Sequence, residues 1–146
     1  MTAHQALDEA AIRRRIDQVV QAIRAMDLEG VQVAYAPDVV SFDVQPPLRH
    51  PGAEAKRRSW SEVFAAYRPP LGYEVRDLTV TVGGEVAFAH SLNRLSGRLK
   101  RGGNGGFWVR ATYCFRKIGG DWLVVHDHVS VPLDVRSGRA RLDLEP

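Results

Sequence analysis

The order of periodic patterns predicts an α+β fold in which three N-terminal helices pack on a curved, mostly antiparallel sheet. Near the N-terminus, apolar residues recur every three or four positions, the spacing of one helix face: Ile12, Ile16, Val19, Ile23 and Met26. Later segments are rich in β-branched and aromatic residues separated by glycine pairs, which is typical of hairpin strands. A twisted sheet closed on one side by helices forms a cone, and a cone leaves a pocket at its wide end.

A short second helix and a first strand follow the long N-terminal helix. Asp27 is the expected N-cap of a helix from Leu28 to Tyr35, which Pro37 ends. Residues 39–44 (VVSFDV) alternate as a strand, and the Pro46-Pro47 pair stops it.

A third helix and four strands complete the predicted fold. The helix follows Gly52 and ends before Pro69-Pro70. Gly83-Gly84 and Gly119-Gly120 indicate tight hairpin turns between strands. The four strands are expected at residues 73–82, 86–96, 107–118 and 122–131.

Length and composition predict one domain with a tail. A chain of 146 residues has the size of a single domain, which we place at residues 1–132, and residues 133–146 form a polar C-terminal tail. Hydrophobic residues make up 45% and charged residues 25%, which excludes a disordered or fibrous protein.

Charge and hydropathy limit the partners. The net charge is +3, and the basic groups are not interleaved with stacking aromatic residues, so no nucleic-acid partner is expected. No apolar run approaches the roughly 20 residues of a membrane span, and the first residues lack the apolar core of a signal peptide. We therefore expect no membrane association and a cytoplasmic location.

Three stretches resemble the SnoaL-like branch of the nuclear transport factor 2-like superfamily, which includes the ketosteroid isomerases. The first is YAPDVVSFD at residues 35–43 with QPP at 45–47, the second is GGEVA at 83–87, and the third is GDWLVVHDHVS at 120–130. The resemblance implies a cone-shaped fold, an apolar pocket and a homodimer formed through the outer face of the sheet. It does not define one activity, because this fold carries enzymes and binding modules alike.

Ketosteroid isomerases use an aspartate at the end of the first strand as general base, and Asp43 matches that position. A tyrosine and a protonated aspartic acid form the oxyanion hole of those enzymes. Val19 and Ala111 stand where these two donors would lie. Since the loss of one such donor costs about 3 kcal/mol in the transition state, the resemblance does not imply steroid isomerisation.

Asp43 is the first candidate catalytic residue. Strand alternation puts it on one face with Val39 and Ser41. If this face points into the cone, a carboxyl group among apolar walls could transfer a proton. The alternative is an aspartate that only caps the turn after the strand.

His90 and Tyr113 are the other candidate catalytic residues. His90 lies in the alternation Val86, Phe88, His90, Leu92, which places it on the pocket wall as a second acid or base, or as a core histidine. Tyr113 is the nearest phenol to Ala111 and could donate to a substrate oxygen, or simply pack.

His126 and His128 project from one face of the last strand, and Asp127 from the other. Two imidazoles could bind zinc or iron, but no third ligand has suitable spacing, so no metal and no cofactor are expected. The alternative is a pair that forms hydrogen bonds within the sheet or lies at a dimer contact. The resemblance implies that Asp127 faces the pocket, whereas a bulge would reverse the two faces.

The remaining candidates are expected to line the pocket. Tyr35, Trp60 and Phe64 are aromatic residues that we assign to helices, where they serve as core or as contacts for a flat ligand. Asp127 and Val129 extend this wall along the last strand.

The sequence therefore predicts a protein that binds a small apolar or polycyclic molecule. The catalytic version is an isomerase-like or cyclase-like enzyme that uses Asp43 on a hydrophobic carbonyl compound. The alternative is a ligand-binding or dimerisation module without catalysis.

Overall fold

Three helices precede the long strands along the chain. The computed structural model describes residues 1–146, and its helices are α1 (Ala3–Arg24), α2 (Leu28–Gln32) and α3 (Ala53–Ala66). The eight strands are β1 (Tyr35–Phe42), β2 (His50–Pro51), β3 (Tyr67–Gly83), β4 (Val86–Leu99), β5 (Asn104–Ile118), β6 (Asp121–Ser130), β7 (Leu133–Asp134) and β8 (Arg139–Ala140).

One six-stranded sheet carries the fold, in the order β2-β1-β6-β5-β4-β3. All neighbours are antiparallel except β1 and β6, which run parallel. The predicted α+β class, with N-terminal helices on a curved and mostly antiparallel sheet, is confirmed. Within the tail, β7 and β8 pair as a separate short hairpin that the sequence analysis did not predict.

The helix α1 begins earlier than the apolar stripe indicates. Thr2 and Gln5 form a capping box: the Thr2 side chain accepts from the Gln5 backbone N–H, and the Gln5 side chain accepts from the Thr2 backbone N–H. Ile12 and Ile23 on the predicted stripe are fully buried. No helix of the structure combines the length and the hydropathy that a bilayer crossing requires.

Two aromatic residues assigned to helices lie in strands. Asp27 caps α2 as predicted, and its carboxylate accepts from Gly30 N–H at 3.0 Å. However, α2 ends at Gln32, and Tyr35 begins β1 because its backbone pairs with Val124 of β6. Tyr67 lies within the span predicted for the third helix, which was expected to end at Pro69-Pro70, yet it begins β3. In both cases sheet pairing overrides the local helical pattern.

A bulge in β6 sets which residues face the interior. In the register with β5, Phe115 pairs with Val124 but Cys114 pairs with His126, so Val125 is an extra residue. Val124 therefore points into the cone, and so does Asp127, three positions later. Without the bulge, residues three apart would lie on opposite faces.

Candidate functional site

Three polar side chains form one row across the inner face of the sheet. The register pairs Tyr113 of β5 with Asp127 of β6, and Asp127 with Ser41 of β1. Ser41 and Asp127 are each 1% exposed, so they lie in the interior and not at the surface. Burying a polar group costs free energy unless the group is hydrogen-bonded, so this interior row is a candidate functional site.

A buried ion pair joins α3 to this row. The Lys56 Nζ lies 2.8 Å from Asp127 Oδ2, and Lys56 is only 4% exposed. The ammonium group also lies 5.3 Å from the centroid of the Tyr35 ring. Lysine is almost never fully buried without a partner, and here Asp127 supplies the opposite charge.

The ionisation of this cluster follows from burial and from the neighbouring charges. Burial alone would lower the pKa of Lys56, but the acidic groups of Tyr35, Asp127 and Asp43 outweigh it and raise that pKa above its ordinary value. Burial raises the pKa of the Tyr35 phenol to about 12, although Lys56 opposes this shift. At neutral pH, Lys56 is therefore charged and Tyr35 carries its proton.

A second polar cluster is organised by Asn93 of β4, which is buried. Its amide nitrogen donates to the hydroxyl oxygens of Tyr113 at 2.8 Å and Tyr73 at 3.1 Å. Its amide oxygen accepts from the Ser91 hydroxyl at 2.8 Å. Each phenol oxygen accepts from the amide, and the two hydroxyl groups also interact with each other, so the Tyr73 O–H proton is the one left for a further acceptor. Burial raises the pKa of both phenols, so both are protonated at neutral pH.

Three buried polar atoms in this region lack a hydrogen-bond partner. They are the Ser41 hydroxyl oxygen, the second carboxylate oxygen of Asp127 and the indole nitrogen of Trp60. Such atoms are rare in native proteins, and each one indicates a place for a water molecule or a ligand group.

An apolar cavity of about 30 Å³ has Trp60 in its lining, whereas Ser41, Asp127 and Asp43 are not among its lining residues. Apolar residues of α1 form one side of it, and Tyr35, Trp60, Tyr73, Asn93 and Tyr113 form the other. This volume is that of about one water molecule, whereas small-molecule sites measure about 300–1,000 Å³. The expected pocket is thus present only as a small cavity, and a ligand would need it to widen.

Asp43 lies immediately after β1, half-buried, and on the same face as Ser41. One of its carboxylate oxygens accepts from the N–H of Val44 at 2.7 Å, as the capping alternative expects. Its charge adds, as the smallest of several causes, to the raised pKa of Lys56. The capping alternative thus has direct support in the geometry, and the catalytic role of Asp43 stays a prediction.

The placement of His90 on the pocket wall is wrong. His90 is exposed on the outer face of β4, as are Val86 and Phe88, whereas Ala87 and Ala89 are buried. Hydrophobicity favours the face of Val86, Phe88 and His90 as the inner one. The inner face of β4 instead carries the buried side chains of Ala87, Ala89, Ser91 and Asn93.

The two histidines of β6 point outward, and Asp127 points inward, as the resemblance implies. The His126 Nδ1 lies 2.6 Å from the carbonyl oxygen of Val40, and the Phe42 ring contacts the imidazole edge-on at 4.7 Å between centroids. These contacts agree with the alternative in which the pair belongs to the sheet. The structure brings together no group of three side chains that could hold a metal ion.

The other predicted lining residues divide into two groups. Tyr35 and Trp60 reach the cavity. Phe64 packs against Trp60 at 5.7 Å between ring centroids and belongs to the border of the core. Val129 is half-buried opposite Ala111.

Sequence reasoning missed Lys56 and Asn93. Lys56 stands in a basic run that is typical of a solvated helix face, yet it precedes Trp60 by four residues and Phe64 by eight, which puts all three on one helix face. Asn93 continues the inward alternation of Ala87 and Ala89. These patterns identify Lys56 and Asn93 as interior residues only once the inward face of each element is known.

The buried phenols predict a loss of stability at alkaline pH. Tyr35 titrates at about 12 in the folded chain against 10.0 when unfolded, so it stabilises the fold fully below pH 10 and loses that contribution between pH 10 and 12. The expected loss from this group is about 1.4 kcal/mol at pH 11. Urea unfolding at pH 9 and 11 measures it, and Tyr35→Phe should show a smaller drop over the same interval. An identical drop would contradict the assignment.

The fold and the site define a cone-shaped α+β protein whose interior carries a small polar cluster and an apolar cavity. A family model described as the SnoaL-like domain matches residues 12–134. The chain therefore belongs to the SnoaL-like family of the nuclear transport factor 2-like superfamily. No protein of curated function matches the sequence.

Solved structures agree with this assignment. A nuclear transport factor 2-like protein of unknown function from Pseudomonas putida KT2440 is 34% identical, covers 97% of this chain and 98% of its own, and has a TM-score of 0.86. A ketosteroid isomerase-like protein from Erwinia carotovora atroseptica SCRI1043 is 20% identical, covers 83% and 93%, and has a TM-score of 0.70. The second likeness shows the fold alone.

Proposed function

We propose that this chain binds a small, mostly apolar carbonyl compound inside the cone and transfers a proton on it, with Asp43 as the general acid/base. The observation that supports this proposal is an apolar cavity whose wall carries three polar side chains, Tyr73, Asn93 and Tyr113, joined by hydrogen bonds. A ligand with an apolar body and one polar group would match both parts of this lining.

The hydroxyl groups of Tyr73 and Tyr113 supply the donors for the substrate oxygen. Their oxygens are held by the Asn93 amide, and the Tyr113 hydroxyl also interacts with that of Tyr73, so a carbonyl oxygen can accept from the Tyr73 O–H or displace this contact to reach Tyr113. In this proposal Asn93 is a positioning residue, since it acts through the two phenols. Tyr113 replaces the donor that is missing at Ala111.

Asp43 and Asp127 have different tasks in this arrangement. Asp127 is held by Lys56 at 2.8 Å, so its charge is compensated and it serves to bind. Asp43 keeps one carboxylate oxygen that accepts no hydrogen bond from the chain, and its half-buried position leaves it a route to solvent. A general base needs this access to exchange its proton after each turnover.

Opening the cavity requires the movement of a side chain, and Trp60 is the candidate. It is half-buried, its indole nitrogen has no partner, and it comes from α3, in which only Ala55 and Lys56 are buried. Displacement of the indole would join the cavity to the surface at a low packing cost. This makes Trp60 both the expected gate and a fluorescent reporter of binding.

Binding is tested by tryptophan fluorescence with a panel of cyclic enones and polycyclic ketones. We expect saturable quenching in the wild-type chain and its loss in Trp60→Phe, because Trp108 and Trp122 do not line the cavity. Quenching that persists in Trp60→Phe would place the ligand elsewhere.

Proton transfer is tested by deuterium exchange α to the carbonyl group of a bound compound, followed by NMR. We expect Asp43→Asn to slow the catalysed exchange about 10²–10⁴-fold while the affinity stays within about twofold. Asp38→Asn is the matched carboxylate control on the exposed side of β1, and His90→Asn tests the outward histidine; both should exchange at the wild-type rate. Unchanged exchange in Asp43→Asn would remove the catalytic role.

The same measurements examine the second candidate, a ligand-binding or dimerisation module. Saturable binding without any catalysed exchange would favour it. We also propose a homodimer through the outer face of the sheet, which is supported by the exposed apolar side chains of Phe42, Val86 and Phe88 on that face. The cytoplasmic location stays a prediction.

A further inference from the structure

The hairpin of β4 and β5 concentrates the positive charge of the chain. Residues 86–120 contain no Asp or Glu and carry seven basic residues: Arg94, Arg98, Lys100, Arg101, Arg110, Arg116 and Lys117. Since the whole chain has a net charge of +3, the remaining residues carry −4 in total (+3 less +7). The positive charge is thus local to this hairpin and is not a general property of the surface.

Two arginine residues stand side by side at the base of the hairpin loop. Arg68 of the edge strand β3 pairs in register with Arg98 of β4, so both project from the same face. The ion pairs of the structure involve other residues, so neither guanidinium group has an acidic partner. Like charges directly opposite each other on neighbouring strands are destabilising. An anion between them would relieve this repulsion.

The two arginines border a preformed groove of about 370 Å³, whose other lining residues are Leu99, Gly102 and Gly103. Backbone hydrogen bonds fix the loop: Leu99 N–H donates to the Gly103 carbonyl at 2.9 Å, and Gly102 N–H donates to that of Leu99 at 3.0 Å. A third bond, from Lys100 N–H to the carbonyl of Ala66 at 3.0 Å, ties the loop to the end of α3.

We propose that this groove binds a phosphate-bearing small molecule, with Arg68 and Arg98 holding the phosphate group. A guanidinium group presents a planar fork that matches two phosphate oxygens, and two such groups match the charge of a dianion. The glycine residues leave space beside Leu99 for the rest of the molecule. The groove volume lies within the range of small-molecule sites, unlike the interior cavity. The proposal does not depend on the function proposed for the interior.

Protection of the sheet edge is an alternative role for the two arginines. Exposed arginines on an edge strand, together with Pro69 and Pro70, also protect that edge against pairing with another chain. Edge protection needs no ligand, so phosphate would then change nothing beyond ionic screening.

Thermal unfolding with inorganic pyrophosphate, at an ionic strength matched with potassium chloride, tests the proposal. We expect the wild-type Tm to rise by at least about 5 °C at a hundredfold excess over Kd. Arg68→Ala and Arg98→Ala should lose this shift. Calorimetry should show that each variant binds pyrophosphate with a Kd at least about tenfold higher than that of the wild-type chain. Arg98→Lys keeps the charge without the fork and should also bind more weakly.

Arg116→Ala is the matched control, since Arg116 is exposed on the same hairpin, forms no ion pair and lies outside the groove. It should keep the full Tm shift. An equal shift in Arg98→Ala and Arg116→Ala, or no shift beyond that of potassium chloride, would overturn the proposal and leave edge protection as the role of the pair.

Discussion

Lys56→Met is expected to lower the free energy of unfolding by about 3–5 kcal/mol, although the side chain it replaces is a lysine in a run of basic residues. The substitution leaves the Asp127 carboxylate 1% exposed and without its counter-charge, and an uncompensated buried charge is among the most destabilising changes in a protein. Asp127→Asn should have an effect of the same order, because it leaves the buried ammonium group unpaired. Urea unfolding measures both.

The double variant Lys56→Met/Asp127→Asn separates the ion pair from simple loss of packing. It removes both charges together, so we expect it to recover most of the stability that either single variant loses. Arg57→Ala is the matched control on α3, because Arg57 pairs with exposed Glu29 and should cost less than about 1 kcal/mol. If Lys56→Met costs no more than Arg57→Ala, the pair is not buried as described.

Gly106→Ala is expected to lower the free energy of unfolding by about 3 kcal/mol or more, because the new Cβ would collide with backbone atoms. Gly106 has a φ of 122°, which L-residues rarely adopt, and a Cβ there would collide with the carbonyl oxygen of Leu95 and lie 2.9 Å from the Ser96 Cα. The obstacle is the backbone of the paired strand β4, which cannot move without breaking the sheet. Urea unfolding again measures the loss.

Gly102→Ala controls for the conformational part of this effect. Gly102 also has a positive φ, 104°, but a Cβ there would meet nothing within 4 Å. We expect it to cost only the backbone strain, about 1–3 kcal/mol. A cost for Gly106→Ala that does not exceed this value would show that β4 and β5 do not approach as closely as the structure describes.

Sequence patterns predicted the architecture well because burial dictates it. The apolar stripe containing Ile12 and Ile23 predicts a buried helix face, and both residues are buried. The pair Gly119-Gly120 predicts a hairpin turn with positive φ angles, and the two residues have φ angles of 57° and 86°. Asp27 capped its helix for a local reason. Such features depend on a few neighbouring residues, so one sequence contains the information that predicts them.

The interior chemistry was harder to predict because it depends on which face of each strand points inward. Hydrophobicity favours the face of Val86, Phe88 and His90 as the inner face of β4, whereas the buried side chains are those of Ala87, Ala89, Ser91 and Asn93. The bulge at Val125 shifts the alternation of β6, so that Trp122 and Val124 share the inner face with Asp127 and not with His126. Lys56 was overlooked because its partner, Asp127, is distant in sequence and becomes a neighbour only through packing.

The bulge at Val125 also separates the two faces of β6. Residues 126 to 129 alternate between the interior and the outer surface, so a substitution at 127 or 129 changes interior packing and leaves the outer surface unchanged, whereas a substitution at 126 or 128 does the reverse. The two surfaces of this short strand can therefore vary separately.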